Sequence, residues 1–452
     1  MLVILSVLLG VVCGQYVPHP QFHRYQEGFR LTLEDVPGMK TVLFRYDVNR
    51  HTGNVTSQSN YAQKVDGKWH YVNEDIRVTD SHEIRYSVKT NIDGQMYESP
   101  VFTWKAVEGP VLPGRRLRGA VIFRDDFSGS HLDKNAWTYV NSMFGQYHEE
   151  FQIYTHEEAN TFVRHGHLYI KPTLTADFSL FSEHFLHTGT IDVKAIWGSC
   201  MYPLNTGRGC VRSGKDGLLP PVMSGMLYSK ATMKYGSMEI RAKMPRGDWL
   251  WPAIWLMPKH NHYGGWPRSG EIDLVEARGN IVAKPYNGQN EGVNMVTCSL
   301  HWGSTTGNTN LRTSSSRRSL HGGHDFASGF HIYRIDWTPD HITTYLDGHQ
   351  MLRVTVPSGG FWEKSHFSGN NLWSAGDKMA PFDQPFYLIL NVAVGGTTGY
   401  FPDSFQYNTK KPWQNHDSHG VDDFWARRHD WLPTWRGDDV AMQIDYVEMR
   451  HL

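Results

Sequence analysis

The chain has 452 residues, in which 44 Lys and Arg nearly balance 45 Asp and Glu, so the formal net charge is −1. This balance, with a pI near 7.1, excludes the strongly basic surface by which proteins bind nucleic acid or anionic membranes, and indicates a neutral partner. The 16 Trp, 22 Tyr and 21 Phe, many beside Gly, Asp or His, favour a carbohydrate, because flat apolar rings can pack on sugar rings.

Residues 1–14 predict a signal peptide. Residues 1–13 are almost wholly apolar and small residues surround the expected cleavage point. The alternative is a membrane anchor, but the run is well below the roughly 20 residues that span a bilayer. We therefore expect a secreted, extracellular protein that does not associate with membranes.

The cysteines fit an oxidising compartment. Cys13 lies in the signal, which leaves three cysteines in the mature chain. Cys200 and Cys210 bracket a Gly-rich, turn-prone segment and predict a loop-closing disulfide. Cys298 lies in a strand-like run and is predicted to be a buried free thiol. The Asn-Val-Thr sequon at Asn54 predicts a glycosylated surface loop.

Residues 15–106 predict a small immunoglobulin-like β-sandwich. Runs with period-two alternation, separated by Gly-containing turns, occupy residues 29–33, 42–46, 68–72, 83–89 and 98–104. Residues 107–120 are rich in Gly, Pro and Arg and predict a linker.

Residues 121–452 predict a second, larger all-β sandwich. Strand-like runs alternate with long polar loops at 199–224, 303–325 and 357–382, and no long amphipathic helix is evident. Because loops on a rigid sheet scaffold often carry binding and catalytic residues, we expect the functional site on this loop-decorated face.

Three carboxylates lie in the apolar heptapeptide Gly-Glu-Ile-Asp-Leu-Val-Glu at 270–276. Burying acids beside Ile, Leu and Val is costly unless they face a polar cleft. Side chains alternate along a strand, so Glu271 and Asp273 share one face whereas Glu276 would point to the other. A single β-bulge between Asp273 and Glu276 would return Glu276 to the shared face. The heptapeptide therefore predicts a bulge.

With the bulge, Glu271 and Glu276 could form the carboxyl pair of a retaining glycosidase, whose members lie about 5 to 5.5 Å apart. One would be the nucleophile and the other the acid/base. Asp273 would hydrogen-bond the nucleophile or its neighbour and help keep one group protonated. The heptapeptide alone leaves open a solvated acidic strand or a calcium site.

A tryptophan-rich strand precedes the heptapeptide. Trp249, Trp251 and Trp255 are an even number of residues apart and are predicted to line the cleft as a stacking platform for sugar rings. Core tryptophans are the alternative. His301 and Trp302, after the loop that follows the carboxylates, are predicted to add a donor and another ring.

The segment GEIDLVEARGN resembles the active-site motif of glycoside hydrolase family 16, in the bulged form of laminarinases and other β-1,3-glucanases. Similar segments run through residues 121–452: EEFQIYT, GHLYIKPTLT, YGSMEIRAKMPRGDWLWPAIWLMP, HWG, NVAVGGTTGYFPD and WARRHDWLPTW. The N-terminal segment, with VPHPQFHRYQEGFRLTLEDVPGMKTVLFRYDVN and GKWHYV, resembles carbohydrate-binding module family 39. The two-part layout is similar to invertebrate β-1,3-glucan-binding proteins, which divide into active glucanases and silent recognition receptors.

The resemblance implies a concanavalin-like jelly roll for residues 121–452. It places the nucleophile at Glu271, the acid/base at Glu276 and an assisting aspartate at Asp273. Positions similar to substrate-cleft residues are Trp251, Trp255, His301 and Trp302, with Asn141 and Arg246 as further candidates. The chain departs from the family at Tyr147-His148-Glu149-Glu150, where Gly-Asn-Asn-Glu is common, and at Met226, where Arg is common. These departures concern the outer subsites.

We therefore expect a monomeric endo-β-1,3-glucanase that hydrolyses laminarin or fungal-type glucan with retention of configuration and requires no cofactor. The resemblance also allows a structural calcium ion on the outer face of the sandwich. The alternative is a non-catalytic β-1,3-glucan recognition protein of innate immunity. The presence of all three carboxylates favours the enzyme.

Overall fold

The computed structural model describes residues 20–25, 28–50, 55–65, 67–73, 82–105, 119–145, 148–201, 209–305 and 311–452. The predicted signal at 1–14, most of the predicted linker at 107–120 and the sequon asparagine Asn54 lie outside these ranges. In the described part of the chain, no helix has the length and apolar character needed to cross a membrane. Two compact units are present, Met1–Val111 and Leu112–Leu452.

The first unit is a small β-sandwich. Its described strands are β1 Gln21–Tyr25, β2 Gly28–Glu34, β3 Met39–Arg50, β4 Val55–Tyr61, β5 Gln63–Val65, β6 Lys68–Asn73, β7 His82–Ile92, β8 Gln95–Glu98 and β9 Phe102–Lys105. One sheet has the order β1-β2-β6-β5, and the other has the order β4-β3-β7-β8 with β9 also on β7. Alternate residues of both sheets, among them Phe29, Phe44 and Ile84, are fully buried in one core.

One predicted strand of this unit is wrong in its extent. The run at 98–104 is divided between β8, which ends at Glu98, and β9, which begins at Phe102. Pro100 lies between them and has no backbone N–H to donate to a ladder.

The second unit has many strands and few, short helices. Its described strands are β10 Val121–Asp125, β11 Trp137–Tyr139, β12 Gln152–Tyr154, β13 Thr161–Arg164, β14 His167–Ile170, β15 Thr173–Leu174, β16 Thr190–Asp192, β17 Val211–Ser213, β18 Val222–Ser224, β19 Met226–Met233, β20 Gly236–Lys243, β21 Leu250–Pro258, β22 Glu271–Ala277, β23 Ala283–Pro285, β24 Met295–Gly303, β25 Leu311–Ser319, β26 His331–Trp337, β27 His341–Leu346, β28 His349–Thr355, β29 Phe386–Val394, β30 Phe405–Tyr407 and β31 Met442–Arg450. The helices are α1 Glu183–Thr188, α2 Val193–Trp197, α3 Gly360–Lys364, α4 Gly420–Ala426 and α5 Arg428–Trp431.

Two large sheets form the sandwich of the second unit. One has the order β13-β14-β31-β20-β26-β27-β28, with β10 also on β31, and the other has the order β11-β19-β29-β21-β22-β24-β25. Apolar residues of both sheets, such as Ile240 of β20 and Ile254 of β21, are fully buried in one core. Several neighbouring strands, such as β14 and β31 or β29 and β21, are distant in sequence, as in a jelly roll. The predicted fold class, a small sandwich followed by a concanavalin-like jelly roll, is confirmed.

The polar segment predicted as a loop at 303–325 contains the edge strand β25. Its sequence, LRTSSSRRS, lacks the apolar alternation by which strands are recognised, since its pairing with β24 does not require an apolar face.

The predicted disulfide between Cys200 and Cys210 is confirmed, with a Cα–Cα distance of 5.8 Å. Cys298 is free and fully buried, as predicted, and its Sγ lies 3.2 Å from Oγ1 of Thr344.

Replacing Cys200 and Cys210 together with serine should lower the free energy of unfolding by about 3 kcal/mol. The reason is that a cross-link spanning 10 residues removes conformations from the unfolded chain. Urea unfolding of the wild type and the double variant should show this difference, and a reductant should abolish it. Equal midpoints under oxidising conditions would contradict the expectation.

Candidate active site

The predicted bulge is present in β22, the strand that carries the three candidate catalytic carboxyl groups. Against β24, Asp273 pairs with Ser299 and Glu276 pairs with Thr297, so two residues of β22 lie opposite the single Cys298. The irregularity brings Glu271, Asp273 and Glu276 to one face of the sheet, while the apolar residues between them, including Ile272 and Val275, are buried in the core.

Glu271, Asp273 and His301 form a compact cluster. His301 is paired with Glu271 across the ladder, and its Nε2 lies 2.9 Å from Oδ2 of Asp273. Ligand atoms of Glu271, Asp273 and His301 all lie within 4.8 Å of one another, so the two carboxyl groups interact directly. Asp273 is only 4% exposed, so this arrangement is held inside the protein.

Two indole donors hold the outer carboxyl groups. Nε1 of Trp251 donates to Oε1 of Glu276 at 2.9 Å, and Nε1 of Trp266 donates to Oε2 of Glu271 at 2.7 Å. A hydrogen bond to a carboxylate fixes its orientation and favours its charged form. Each of the two glutamates therefore has its own indole partner.

Burial raises the pKa of all three carboxyl groups above their ordinary values. For Glu271 the next cause is the charge of Asp273, and for Asp273 it is the charge of Glu276. The Trp251 hydrogen bond, then His301 and Arg278, act in the opposite direction on the pKa of Glu276. Such a cluster keeps a proton at a pH where a free glutamate has lost it, as a general acid must.

In the described part of the chain, the His and carboxylate side chains close enough to share a metal ion are Glu271, Asp273 and His301, whose ligand atoms lie within 4.8 Å of one another. Calcium takes six to eight oxygen ligands, whereas this group offers an imidazole nitrogen that already contacts Asp273. The calcium-site alternative for the heptapeptide is therefore a poor fit.

Trp251 and Trp255 lie on the face of the carboxylates. Trp255 pairs with Asp273 across the ladder, is partly exposed, and its Nε1 donates to Oδ1 of Asn391 at 2.8 Å. The ring of Trp251 is stacked on Tyr400 with centroids 3.6 Å apart and planes 5° apart. Trp255 therefore presents a partly exposed ring on the face of the carboxylates, whereas Trp251 is buried and one face of its ring is covered by Tyr400.

The expectation that Trp249 and Trp302 line the cleft is wrong. Trp249 is fully buried, precedes β21 and has a φ of 68°. Because it lies outside the strand, the alternation of side chains that relates Trp251 and Trp255 does not apply to it. Trp302 is 3% exposed and donates to Oγ of Ser365 at 2.6 Å. Since it is next to His301 on a strand, it must face the opposite side, the core.

Asn141 and Arg246 are not brought to the carboxylates by any described contact. Asn141 is 2% exposed, donates to Oγ of Ser199 at 3.0 Å and lines a cavity of about 660 Å³ whose described lining does not include the three carboxylates. Arg246 donates to Oδ2 of Asp325 at 2.5 Å. Their predicted roles in substrate binding have no support in this geometry.

Trp266 and His148 were not predicted as site residues. Trp266 is 38% exposed and contacts Glu271, and a tryptophan in the turn just before the acidic heptapeptide was the available signal. His148, one of the departures from the family pattern, lies edge-on against Trp251 at 5.2 Å. Burial, and then the charge of His301, lower the pKa of His148, which disfavours its charged form beside Trp251.

Replacing Trp266 with phenylalanine should lower kcat on the order of 10-fold for the glycoside hydrolysis expected of Glu271 and Glu276. The ring is retained while the hydrogen bond to Glu271 is lost, and a bond to a charged group contributes about 1.5–3 kcal/mol. Steady-state kinetics check this. Trp362→Phe, at an indole that packs on Trp373 instead, is the matched control. Equal kinetics for the two variants would contradict the role of Trp266.

The chain is similar to proteins of known sequence in both units. Residues 210–382 match the family described as Glycosyl hydrolases family 16, and residues 16–114 match CBM39, described as Carbohydrate binding domain (family 32). A β-1,3-glucan-binding protein of Penaeus monodon is 41% identical over 345 residues, covering 73% of this chain and 89% of the relative. Glucan endo-1,3-beta-glucosidase A1 of Niallia circulans is 30% identical, covering 64% of this chain and 35% of the relative.

Solved structures are similar as well. The laminarinase catalytic domain from Thermotoga maritima MSB8 has a TM-score of 0.46 and 22% identity, covering 74% of this chain and 98% of that domain.

Proposed function

We propose that this chain is a secreted endo-β-1,3-glucanase that acts with retention. The premise is its family: the chain belongs to the β-1,3-glucan-binding proteins with a glycosyl hydrolases family 16 domain and a CBM39 domain. The observation that supports the proposal is the bulge in β22, which places Glu271, Asp273 and Glu276 on one face, with separate indole donors to Glu271 and Glu276. A protein that only binds glucan does not need this arrangement.

In the first step of the proposed reaction, Glu271 attacks the anomeric carbon while Glu276 gives its proton to the departing glycosidic oxygen. The bond between Glu271 and the sugar forms as the glycosidic bond breaks. In the second step Glu276 takes a proton from water, and the water oxygen displaces Glu271. Two inversions at the same carbon return the β configuration.

Asp273 and His301 support this chemistry from positions beside the nucleophile Glu271. The 2.9 Å contact between Asp273 and His301, beside Glu271, holds the groups around the nucleophile in one arrangement. As Glu271 becomes neutral in the glycosyl ester, the repulsion between it and Asp273 falls, which favours formation of the intermediate. These steps need no cofactor, since every proton and bond passes between side chains, sugar and water.

The substrate class follows from the rings and the relatives. Trp255 presents a partly exposed indole beside the carboxylates, as binding of a neutral sugar requires. The Penaeus monodon relative is named for binding β-1,3-glucan, and the Niallia circulans relative is named as a glucan endo-1,3-beta-glucosidase. The N-terminal unit would hold the polymer and raise its effective concentration near the cleft.

The second candidate function is glucan recognition without cleavage, in innate immunity. It is favoured by the Penaeus monodon relative, which is named for binding. Both functions use β-1,3-glucan as the extracellular partner, so binding alone does not distinguish them.

The test is release of reducing ends from soluble laminarin by the purified protein and by Glu271→Gln, with binding of both to insoluble β-1,3-glucan. We expect the wild type to release short oligosaccharides, the variant to release none, and both to bind. If neither cleaves although both bind, the protein is a glucan receptor with a silent hydrolase domain.

A further inference from the structure

A stack of three flat groups ends at Glu276. The guanidinium of Arg278 lies over the ring of Tyr400, with Cζ 4.6 Å from the centroid. The other rings of the stack, Tyr400 and Trp251, are nearly parallel with centroids 3.6 Å apart. Nε1 of Trp251 donates to Oε1 of Glu276 at 2.9 Å. A cation, two rings and a carboxyl group therefore form one continuous series of contacts.

Arg278 is fixed at the outer end of this stack. Its Nε and Nη2 donate to the backbone oxygen of Tyr400 at 3.0 and 2.7 Å, and its Nη1 lies 3.6 Å from Oε2 of Glu291. Its side chain is only 13% exposed. Arg278 thus holds both the backbone and the ring of Tyr400, which belongs to the segment between β29 and β30.

We propose that Arg278 is a positioning residue for Glu276, which it holds in place through the stacked rings of Tyr400 and Trp251. The proposal rests on the proposed function. Trp251 reaches Glu276 only by its ring nitrogen, so a small rotation of the indole would break the hydrogen bond. Packing of the indole on a tyrosine that is itself clamped by Arg278 prevents that rotation.

The charges around Glu276 give Arg278 a second effect. Asp273 and Glu271 on the same strand are acidic, His301 faces the cluster from β24, and His148 borders Trp251. Burial raises the pKa of Glu276, whereas the positive charge of Arg278 lowers it. A carboxyl group that must give a proton in one step and take one in the next works best when neither form is strongly favoured.

The test uses the indole of Trp251 as a reporter that does not depend on activity. In protein labelled with [15N]tryptophan, the indole N–H signal that Trp251→Phe removes should titrate with Glu276. We expect Arg278→Gln to move the midpoint upward by about 0.5 to 1 pH unit, because a nearby positive charge is lost. Arg278→Lys, which keeps the charge, should move it by less than half as much.

A matched control is available at the same acidic partner. Arg317 also pairs with Glu291, at 2.6 Å, but is 66% exposed and lies outside the stack. Arg317→Gln should leave the midpoint unchanged. An unchanged midpoint in folded Arg278→Gln, or an equal shift in Arg317→Gln, would overturn the proposal.

Kinetics give an independent second readout. Tyr400→Leu, which removes the middle ring, should lower kcat on laminarin about 10-fold with KM changed less than twofold, whereas Tyr400→Phe should keep kcat within twofold. Equal kcat for the two Tyr400 variants would count against the stack. If the wild type does not cleave glucan, the proposed function fails, and the indole titration still decides whether Arg278 acts on Glu276.

Discussion

Replacing Glu271 with alanine should lower kcat for β-1,3-glucan hydrolysis on the order of 10⁴-fold or more, since loss of a nucleophile removes the covalent route. Glucan binding should persist, because the rings of the cleft and the N-terminal unit are unchanged. Glu363→Ala, at an exposed glutamate in α3, is the control and should keep wild-type activity.

Azide distinguishes a lost nucleophile from a damaged fold. In Glu271→Ala a small anion can occupy the space of the missing carboxylate and attack the anomeric carbon once. A single displacement inverts the configuration, so the product should be an α-glycosyl azide. Full loss of activity without any azide product in a folded variant would contradict the assignment of Glu271.

Replacing Glu276 with alanine should lower kcat by about 10²- to 10⁴-fold, the usual contribution of a general acid/base. The loss should be smaller for a substrate with an acidic phenol as leaving group, because that group departs without a proton. Here azide attacks the glycosyl enzyme after Glu271 has already inverted the carbon. The product should therefore be a β-glycosyl azide, detected by NMR of the anomeric proton.

The two azide products together test the division of roles. An α-azide from Glu276→Ala and a β-azide from Glu271→Ala would mean that the nucleophile and the acid/base are exchanged. Retention of near wild-type kcat in Glu276→Ala would exclude it as the acid/base.

The central part of the site could be predicted from alternation alone. Three acids in an apolar strand require one shared polar face, and the odd spacing between Asp273 and Glu276 then requires a bulge, which the structure contains. The same rule excludes Trp302, because its neighbour His301 faces the cleft. That error came from applying alternation to the acids and to the first three tryptophans, but not to the neighbours His301 and Trp302.

The remaining errors have a different cause. Trp249 has a positive φ of 68° just before β21, and nothing in the tryptophan spacing shows where the strand begins. Tyr400 reaches Trp251 from the segment after β29, and such a contact between distant segments depends on the folded topology. Local sequence patterns predict which side chains share a face within one strand, but they do not predict how one segment packs on another that is distant in sequence.

The configuration of the first product tests the roles of Glu271 and Glu276 most directly. Proton NMR of laminari-oligosaccharide cleavage, begun within minutes of mixing, separates newly formed reducing ends from those equilibrated by mutarotation. The proposed mechanism predicts that the β anomer appears first and the α anomer follows slowly. The α anomer appearing first would contradict it, as would the absence of any cleavage by folded protein that binds the glucan.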